Sequence, residues 1–223
     1  MSKRPLLVVL SNDVPDSSYG AQHLATAFES GFESLLFDPT SGFGGAEAWF
    51  DSLAPDALVL SGSERSVRDA APWIVEEQEI VREAAKRRVP LLGVCFGHQL
   101  VAAAFGAELV SREKRVGIFP VRVAVDDPLL GAAGDILRVP EQHADHVVRP
   151  PAGFDVIARS SLCDVEAMRH VGAPVYGVQF HPCYESDVIA EDEAWRGFDR
   201  AEFVHDGASV LRGASEYFRE MCE

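Results

Sequence analysis

Long apolar runs are missing from this sequence of 223 residues. A membrane-spanning helix needs roughly 20 consecutive apolar residues, and the longest run near the start, Leu6–Leu10, is far shorter. No signal-peptide pattern precedes that run. The sequence therefore predicts a soluble, cytoplasmic protein with no membrane as a partner.

Basic residues are also scarce. Against 35 Asp and Glu there are 20 Lys and Arg, which gives a formal net charge of −15. Binding to phosphates requires a basic surface, so this composition argues against a nucleic-acid partner. Only Lys3, Lys86 and Lys114 are lysines. A high-salt cytoplasm and the arginine bias of a GC-rich genome explain this pattern equally well, and both explanations stay open.

Cysteine pairs are absent as well. The four cysteines, at positions 95, 163, 183 and 222, form no CxxC pair and are too sparse for a secreted disulfide scaffold. Reduced thiols are therefore expected, and a free cysteine becomes a candidate nucleophile. No cofactor is implied. His143, Asp145 and His146 lack a fourth metal ligand in pattern, so no metal site is predicted.

The first half of the sequence alternates short apolar runs with longer amphipathic segments, which is typical of βαβ units around a largely parallel sheet. Strands are predicted at residues 6–10, 34–37, 57–60 and 91–94, and helices at residues 17–30 and 73–88. In the second helix the apolar side chains share one face. The charged residues expected to face water are Glu76, Glu77, Glu79, Lys86 and Arg87.

The second half changes character. Strands predicted at residues 119–125, 135–139, 155–159, 166–170 and 175–180 are separated by Gly and Pro, which indicates antiparallel additions to the sheet. From Asp187 the chain is charged and helix-like. Its apolar residues can dock it on the rest of the chain: Trp195, Phe198, Phe203, Val210 and Leu211. No repeat or linker divides the chain, so residues 1–223 are predicted to form one domain, with residues 187–223 as its C-terminal helical segment.

The strongest chemical signal is GVCFGHQ at residues 93–99, between a predicted strand and a predicted helix. Glycines two residues on either side of Cys95 allow a tight strand-to-helix turn that exposes the cysteine side chain, as in a nucleophile elbow. The backbone N–H groups after it can form an oxyanion hole. The positive end of the helix dipole favours a thiolate at this place. The motif alone is also compatible with a buried structural cysteine.

Residues 90–99, PLLGVCFGHQ, resemble the nucleophile motif of the class I glutamine amidotransferases. Other segments resemble that family in the same order: DALVLSGSERSVRD at 56–69, the segment 112–121, His143-Ala144-Asp145, and YGVQFHP at 176–182. Several ordered matches are far more specific than one motif. The resemblance implies a flavodoxin-like α/β fold, a three-layer sandwich around a mostly parallel sheet, with antiparallel strands in the second half.

By this resemblance Cys95 attacks the side-chain amide of glutamine, and His181 handles the protons. The glutaminyl oxyanion would be held by the backbone N–H of Phe96 and of Gly62 or Ser63. Gln99 would help to bind the substrate, although it could instead satisfy backbone groups at the helix start.

A lone histidine near a strand end is more often structural than catalytic. His181, however, follows an apolar strand, and α/β enzymes assemble their sites at such strand ends, so we expect it to be the base. His98, just past the nucleophile, is expected to pack or to bond the backbone. The segment with His143 and Asp145 is expected to be a surface loop near the active site with an interface or gating role.

The sequence departs from the family after His181. Where the family usually has His-Pro-Glu, this chain has His181-Pro182-Cys183-Tyr184-Glu185. Glu185 is predicted as the third triad member if the loop curls into a helix; otherwise Cys95 and His181 act as a dyad. Because the acid mainly orients and stabilises the imidazolium, its loss would weaken catalysis without removing the nucleophile.

Three functions remain open. The first is a glutaminase, similar to the amidotransferase part of GMP synthase, that delivers ammonia to a separate synthetase, because this chain has no ATP-binding loop. The second is a stand-alone hydrolase or transferase of other γ-glutamyl small molecules. The third is a non-catalytic regulatory protein that kept the fold, which only Cys183 supports.

Overall fold

The computed structural model describes residues 4–12 and 19–222, without the side chains of residues 19 and 191. In this part of the chain nine strands form a single sheet. The strands are β1 Leu6–Leu10, β2 Glu33–Phe37, β3 Ala57–Leu60, β4 Leu91–Val94, β5 Leu109–Val123, β6 Ile136–Val147, β7 Phe154–Arg159, β8 Ala167–His170 and β9 Val175–Val178. The helices are α1 Tyr19–Phe28, α2 Ala46–Leu53, α3 Pro72–Arg87, α4 Phe96–Ala104, α5 Val188–Glu191 and α6 Gly207–Cys222.

The sheet has the order β2-β1-β3-β4-β9-β8-β7-β5-β6. Strands β2, β1, β3, β4 and β9 are parallel neighbours, and the rest pair antiparallel. The central parallel strands are buried on both faces, as their continuous apolar sequences require. The predicted α/β fold with antiparallel additions is therefore confirmed. That the whole chain is one domain stays a prediction.

Alternate residues of β1 belong to the two different cores of the molecule. Leu7 and Val9 pack with α1 and α6 on one face, whereas Val8 and Leu10 pack with α3 and α4 on the other. Each fully buried aliphatic side chain contributes about 1.5–3 kcal/mol relative to an exposed one. Helices on both faces therefore hold the carboxyl ends of the parallel strands in fixed positions.

One prediction for α3 was wrong, because Glu77 is fully buried. Glu77 lies three residues after Ile74 and three before Ile80, both of which are buried, so it shares their helical face. Glu76, Glu79, Lys86 and Arg87 are not buried, as predicted. The helix ends at Arg87, and the capping residue Arg88 adopts a left-handed conformation.

The second half of the sheet also differs from the prediction. Strands β5 and β6 pair over most of their length in a long antiparallel hairpin, with an irregularity between Ser111 and Arg115. The predicted surface loop at His143–Asp145 is instead part of β6, and His143 is buried. The sequence did not predict this part of β6, because its charged side chains are typical of an exposed loop. Their burial depends on partners elsewhere in the sheet. The first predicted helix is described over Tyr19–Phe28, and its predicted residues 17–18 lie outside the described part.

Beyond Asp187 the chain forms α5, two short 3₁₀ turns and α6. Trp195 is buried and makes edge-to-face contacts with Phe198 and Phe203, at 5.2 and 5.6 Å between ring centroids. Val210 and Leu211 of α6 are buried in the same core as α1. The ring contacts therefore hold the segment together, and α6 docks it beside α1 on one face of the sheet.

Candidate active site

Cys95 occupies the tight turn between β4 and α4, with a φ of 52°. Such a positive φ is strained for a residue with a side chain and is typical of functional turns. The flanking glycines make the turn sterically allowed. A Cβ on Gly93 would lie 2.4 Å from the Gly97 carbonyl oxygen, and one on Gly97 would lie 2.5 Å from the Leu60 carbonyl oxygen. The local sequence thus builds the predicted elbow.

The backbone on either side of Cys95 is held in place. The Cys95 amide donates to the Val178 carbonyl (2.9 Å), and the Gln99 amide donates to the Cys95 carbonyl (3.0 Å). Phe96 begins α4, where the first backbone N–H groups have no acceptor in a preceding turn. The positive end of the helix dipole therefore lies directly beside the thiol.

The side chains of His181 and Cys95 both approach Gly62. A Cβ on Gly62 would lie 3.1 Å from His181 Cε1 and 3.9 Å from Cys95 Cβ. The His181 amide donates to the Pro140 carbonyl (2.8 Å), and the ring stacks on Tyr184 with a centroid distance of 4.2 Å. Within the described residues, His181 Nε2 is buried without a hydrogen-bond partner.

The protonation of His181 follows from its surroundings. Burial, and then the nearby His143, lower the pKa of His181 to about 3, whereas a backbone hydrogen bond with Gln142 and the charge of Asp192 act in the opposite direction. The imidazole is therefore neutral at physiological pH. A neutral imidazole beside a thiol can accept its proton, which is the state that a general base requires.

The segment around Gly62 is tied to two other parts of the molecule. On one side, the backbone N–H of Asn12 donates to Ser61 Oγ (2.8 Å). On the other, Ser66 Oγ donates to the Asp145 carboxylate. These two hydrogen bonds fix the segment on both sides of Gly62, which lies next to the side chains of Cys95 and His181. The structure brings Gly62 next to Cys95 and His181, with Ser63 in the same cleft.

Gln99 and Gln179 form a pair beside the nucleophile. Gln99 Nε2 donates to the Asp145 carbonyl (2.9 Å) and to Gln179 Oε1 (3.3 Å). Gln179 Nε2 donates to Cys95 Sγ at 3.7 Å. The sequence reasoning missed Gln179. Its position two residues before His181, in the strand predicted at residues 175–180, is the signal that could have found it.

Glu185 lies away from these residues. It is exposed and lines a separate cleft between α1 and α6, together with His23 and Arg212. Cys183 is buried and borders both this cleft and the one that holds Cys95. The structure therefore does not bring Glu185 into the cleft of Cys95 and His181, and the role of Glu185 in a triad stays a prediction.

His143 is buried but lines the cleft, whereas His146 is buried and is not part of the lining. Their rings contact each other with centroids 4.6 Å apart, and His143 Nε2 bonds Glu141 Oε2 at 3.1 Å. Burial lowers the pKa of His146 to about 4. His98 is also buried, and a Cβ on Gly177 would lie 2.6 Å from its Nδ1, so it packs tightly as expected. The described residues contain no cluster of His, Cys, Asp and Glu suited to a metal ion.

An open cleft of about 880 Å³ joins the candidate residues. Its walls come from the loop after β3, from β6 and from the segment after β9. The lining residues include Gly62, Ser63, Cys95, Gln99, Asp145 and His181. The cleft lies at the carboxyl ends of parallel strands, where α/β proteins place their ligands.

Glu77 supports this cleft from inside the protein. Its Oε1 accepts a hydrogen bond from Asn12 Nδ2 (3.1 Å), and Asn12 in turn bonds Ser61, the residue before Gly62. Burial raises the pKa of Glu77 to about 8, and the Asn12 hydrogen bond partly opposes that rise. The carboxyl group is therefore mostly protonated at neutral pH.

Glu77→Gln is expected to stabilise the protein between pH 5 and 8. Unfolded Glu77 ionises near its ordinary pKa of 4.5, whereas the folded protein keeps the proton to about pH 8. Wild-type stability therefore falls as pH rises through this window, by about 1.4 kcal/mol per pH unit. Glutamine does not titrate, so the gain should reach about 2–4 kcal/mol at pH 8.

Urea unfolding of both proteins at pH 5 and pH 8 measures this difference. Glu79→Gln is the matched control, because Glu79 lies on the exposed face of the same helix. The control should show no gain. If Glu77→Gln changed the free energy of unfolding by the same amount at both pH values, the carboxyl group of Glu77 would not be buried in its protonated form.

The fold and the cleft define a class of protein. Residues 19–193 match the family model described as glutamine amidotransferase class-I. Since the match covers well over half of the chain, the chain belongs to the class I glutamine amidotransferase family, and the resemblance stated from the sequence is confirmed.

Particular relatives narrow the comparison. The chain is 36% identical over 132 residues to the glutamine-hydrolysing GMP synthase subunit of Methanothermobacter thermautotrophicus, a match of 59% of this chain and 67% of the relative. It is 39% identical over 129 residues to the corresponding protein of Methanosarcina acetivorans (57% and 64%). The one from Pyrococcus abyssi is 40% identical over 132 residues (59% and 68%). The matches therefore span about two thirds of the length of these relatives.

Solved structures show the same fold at lower identity. A protein from Thermoplasma acidophilum, described as a GMP synthase subunit, superposes with a TM-score of 0.75 at 21% identity, covering 100% of this chain and 96% of the other. A glutamine amidotransferase from Thermotoga maritima gives a TM-score of 0.70 at 18% identity, with coverage of 99% and 95%. Among residues 4–12 and 19–222, none of the helices combines the length and apolarity of a membrane span.

Proposed function

We propose that this protein hydrolyses the side-chain amide of glutamine through a thioester on Cys95 and supplies the ammonia to a separate synthetase. The observation that carries the proposal is that Cys95 and His181 both approach Gly62 in one cleft at the carboxyl ends of the parallel strands. Related GMP synthase subunits are named as glutamine-hydrolysing, which supports the same reaction here.

In this reaction neutral His181 takes the thiol proton while Cys95 Sγ attacks the amide carbon. The oxyanion that forms is stabilised by backbone N–H groups of Phe96 and of Gly62 or Ser63. His181 then gives the proton to the leaving nitrogen, and ammonia departs. Water attacks the remaining thioester, releasing glutamate and restoring the thiol. Gln99 and Gln179 border the nucleophile and are placed to bond the substrate amide.

The partner belongs to the same proposal. A synthetase that accepts ammonia would dock over the open cleft, near Lys114 of β5 and Glu64 of the loop after β3, both of which line it. No nucleic acid or membrane takes part, and the reaction takes place in the cytoplasm. Glutamate and ammonia leave the cleft as separate products, so ammonia can pass to a docked enzyme.

The test is release of glutamate and ammonia from glutamine by the purified chain alone, at low and at molar salt. We expect equal amounts of the two products. Glutathione and γ-glutamyl-p-nitroanilide are assayed in parallel. Faster hydrolysis of either one than of glutamine would identify the substrate as another γ-glutamyl compound. Absence of turnover together with no labelling of Cys95 by a glutamine-analogue alkylator would contradict the proposal and favour a non-catalytic protein.

A further inference from the structure

The position that carries a glutamate in the resembled family is Cys183 in this chain, and Glu185 lies in another cleft. A second carboxylate nevertheless lines the cleft of Cys95 and His181: that of Asp192, between α5 and the following 3₁₀ turn. Asp192 is partly buried. It comes from a segment eleven residues after His181, so no short motif around the histidine contains it.

Two hydrogen bonds hold the Asp192 carboxylate in its orientation, and a third orients one of its two partners. Its Oδ2 accepts from Gln142 Nε2 at 2.7 Å, and its Oδ1 accepts from the Ala194 amide at 2.8 Å. The Gln142 amide is itself oriented, because its Oε1 accepts from the Trp195 indole N–H at 2.5 Å. Since Trp195 is buried, the carboxylate is anchored through a rigid side chain.

Strand β6 also links this group to the histidine. The His181 backbone amide donates to the carbonyl of Pro140 (2.8 Å), two residues before Gln142 on β6, and the side chain of Gln142 holds Asp192. The His181 ring stacks on Tyr184, whose ring in turn contacts that of Trp195 with centroids 6.2 Å apart. Neighbouring residues of β6 therefore hold the histidine and the carboxylate in the same cleft. Asp192 is also the carboxylate whose charge favours the protonated form of His181.

We propose that Asp192 is a positioning residue for His181, and that its carboxylate supplies the negative charge that the glutamate of the His-Pro-Glu motif supplies in the resembled family. This inference rests on the proposed function. When His181 takes the proton of Cys95, a positive charge forms on a buried ring, and a fixed carboxylate nearby stabilises it. The thiolate is thereby stabilised too.

Other charged groups surround the same place. Tyr184 stacks on the imidazole. The titratable residues that line the same cleft are Cys95, His143, Glu64, Lys114, Asp145 and Glu193. Beside Asp192, the adjoining depression contains Glu193, Arg196 and Arg200. Glu193 and Arg196 pair with each other at 2.9 Å, so their charges largely compensate.

The test measures how fast iodoacetamide alkylates Cys95 as a function of pH, by mass spectrometry of the Cys95 peptide. In Asp192→Asn, which keeps an oxygen for the Ala194 amide, we expect the midpoint of reactivity to rise by about half a pH unit or more. We also expect kcat for glutamine to fall about tenfold with KM little changed. Asp192→Glu should restore most of both properties.

Two further variants make the test decisive. Asp187→Asn changes a carboxylate that caps α5 outside this cleft, and Glu185→Gln removes the carboxylate predicted from the sequence. Neither should move the midpoint. If Asp192→Asn does not fold, Asp192→Ser replaces it, because serine also caps the turn.

An unchanged midpoint in folded Asp192→Asn, or a rise in Glu185→Gln alone, would overturn the inference. So would a wild-type midpoint equal to that of an ordinary thiol. Alkylation requires no turnover of glutamine. A shifted midpoint in a protein that hydrolyses no glutamine would therefore reject the proposed function while retaining the role of Asp192.

Discussion

Cys95→Ala is expected to reduce glutamine hydrolysis to the uncatalysed background, a loss of about 10⁴-fold or more. Cys95 is the thiol at the elbow, with a strained backbone and with His181 beside it across Gly62. Alanine cannot form the thioester, and water in the cleft is a much weaker nucleophile than a thiolate. The fold should be retained, because the change removes one sulfur atom and leaves the backbone hydrogen bonds of residue 95 in place.

Cys163→Ala is the control for this variant. Cys163 is also buried, but it lies in the turn between β7 and β8, and burial raises the pKa of its thiol to about 12. This variant should keep nearly full activity. Steady-state glutamate release from both proteins, with matched circular dichroism spectra, measures the difference. Substantial activity in Cys95→Ala would contradict the thioester mechanism.

Arg115→Met is expected to destabilise the protein by about 3–5 kcal/mol at neutral pH. Arg115 bonds two fully buried carboxylates, Glu141 at 3.0 Å and Glu166 at 3.3 Å, and its guanidinium lies 4.5 Å from the ring centre of Phe119. Methionine has a similar length but leaves both carboxyl groups without their cation. A buried charge without a partner costs far more than an exposed one.

The loss should shrink at acidic pH. Burial, and then the charge of Glu141, raise the pKa of Glu166 to about 8. A carboxyl group with a raised pKa in the folded state favours folding most at low pH, and this advantage is lost as pH rises. Glu166 is therefore largely protonated at pH 7.5, and the charge that Arg115→Met leaves without a cation is the one negative charge that the two carboxyl groups still carry together. Uptake of a second proton by this pair at acidic pH removes that charge from the variant. Its stability deficit should therefore be smaller at pH 5 than at pH 7.5.

Urea unfolding at both pH values tests this expectation. Arg122→Met is the matched control, because Arg122 lies on the same strand but is exposed and bonds only the Gly134 carbonyl among the described residues. The control should change stability by less than about 0.5 kcal/mol. Equal losses in the two variants would show that the buried ion pairs contribute no more than a surface arginine.

Features that depend on neighbouring residues were predicted well. The elbow follows from glycines two residues away from Cys95, and the central strands follow from short continuous apolar runs. In both cases the steric and hydrophobic requirements are contained in a few consecutive residues. The α/β fold could therefore be predicted before its strand order was known.

Features that depend on distant partners were predicted poorly. The strand β6 was expected to end at residue 139, but it continues because Glu141 is paired with Arg115, 26 residues away. Glu77 was expected in water, but it is buried because Asn12 bonds it across 65 residues. A charged residue indicates exposure only until the fold supplies its partner.

By itself, the sequence determined which residue is the candidate nucleophile, which strands are central and which family the chain belongs to. Local backbone geometry and ordered motifs suffice for these conclusions. Only the tertiary structure decided that Glu185 lies outside the cleft, that Gln179 touches Cys95 and that Asp192 lines the same cleft as His181. These relations join segments far apart in the chain, and the packing of the sheet and its helices sets the distances between them.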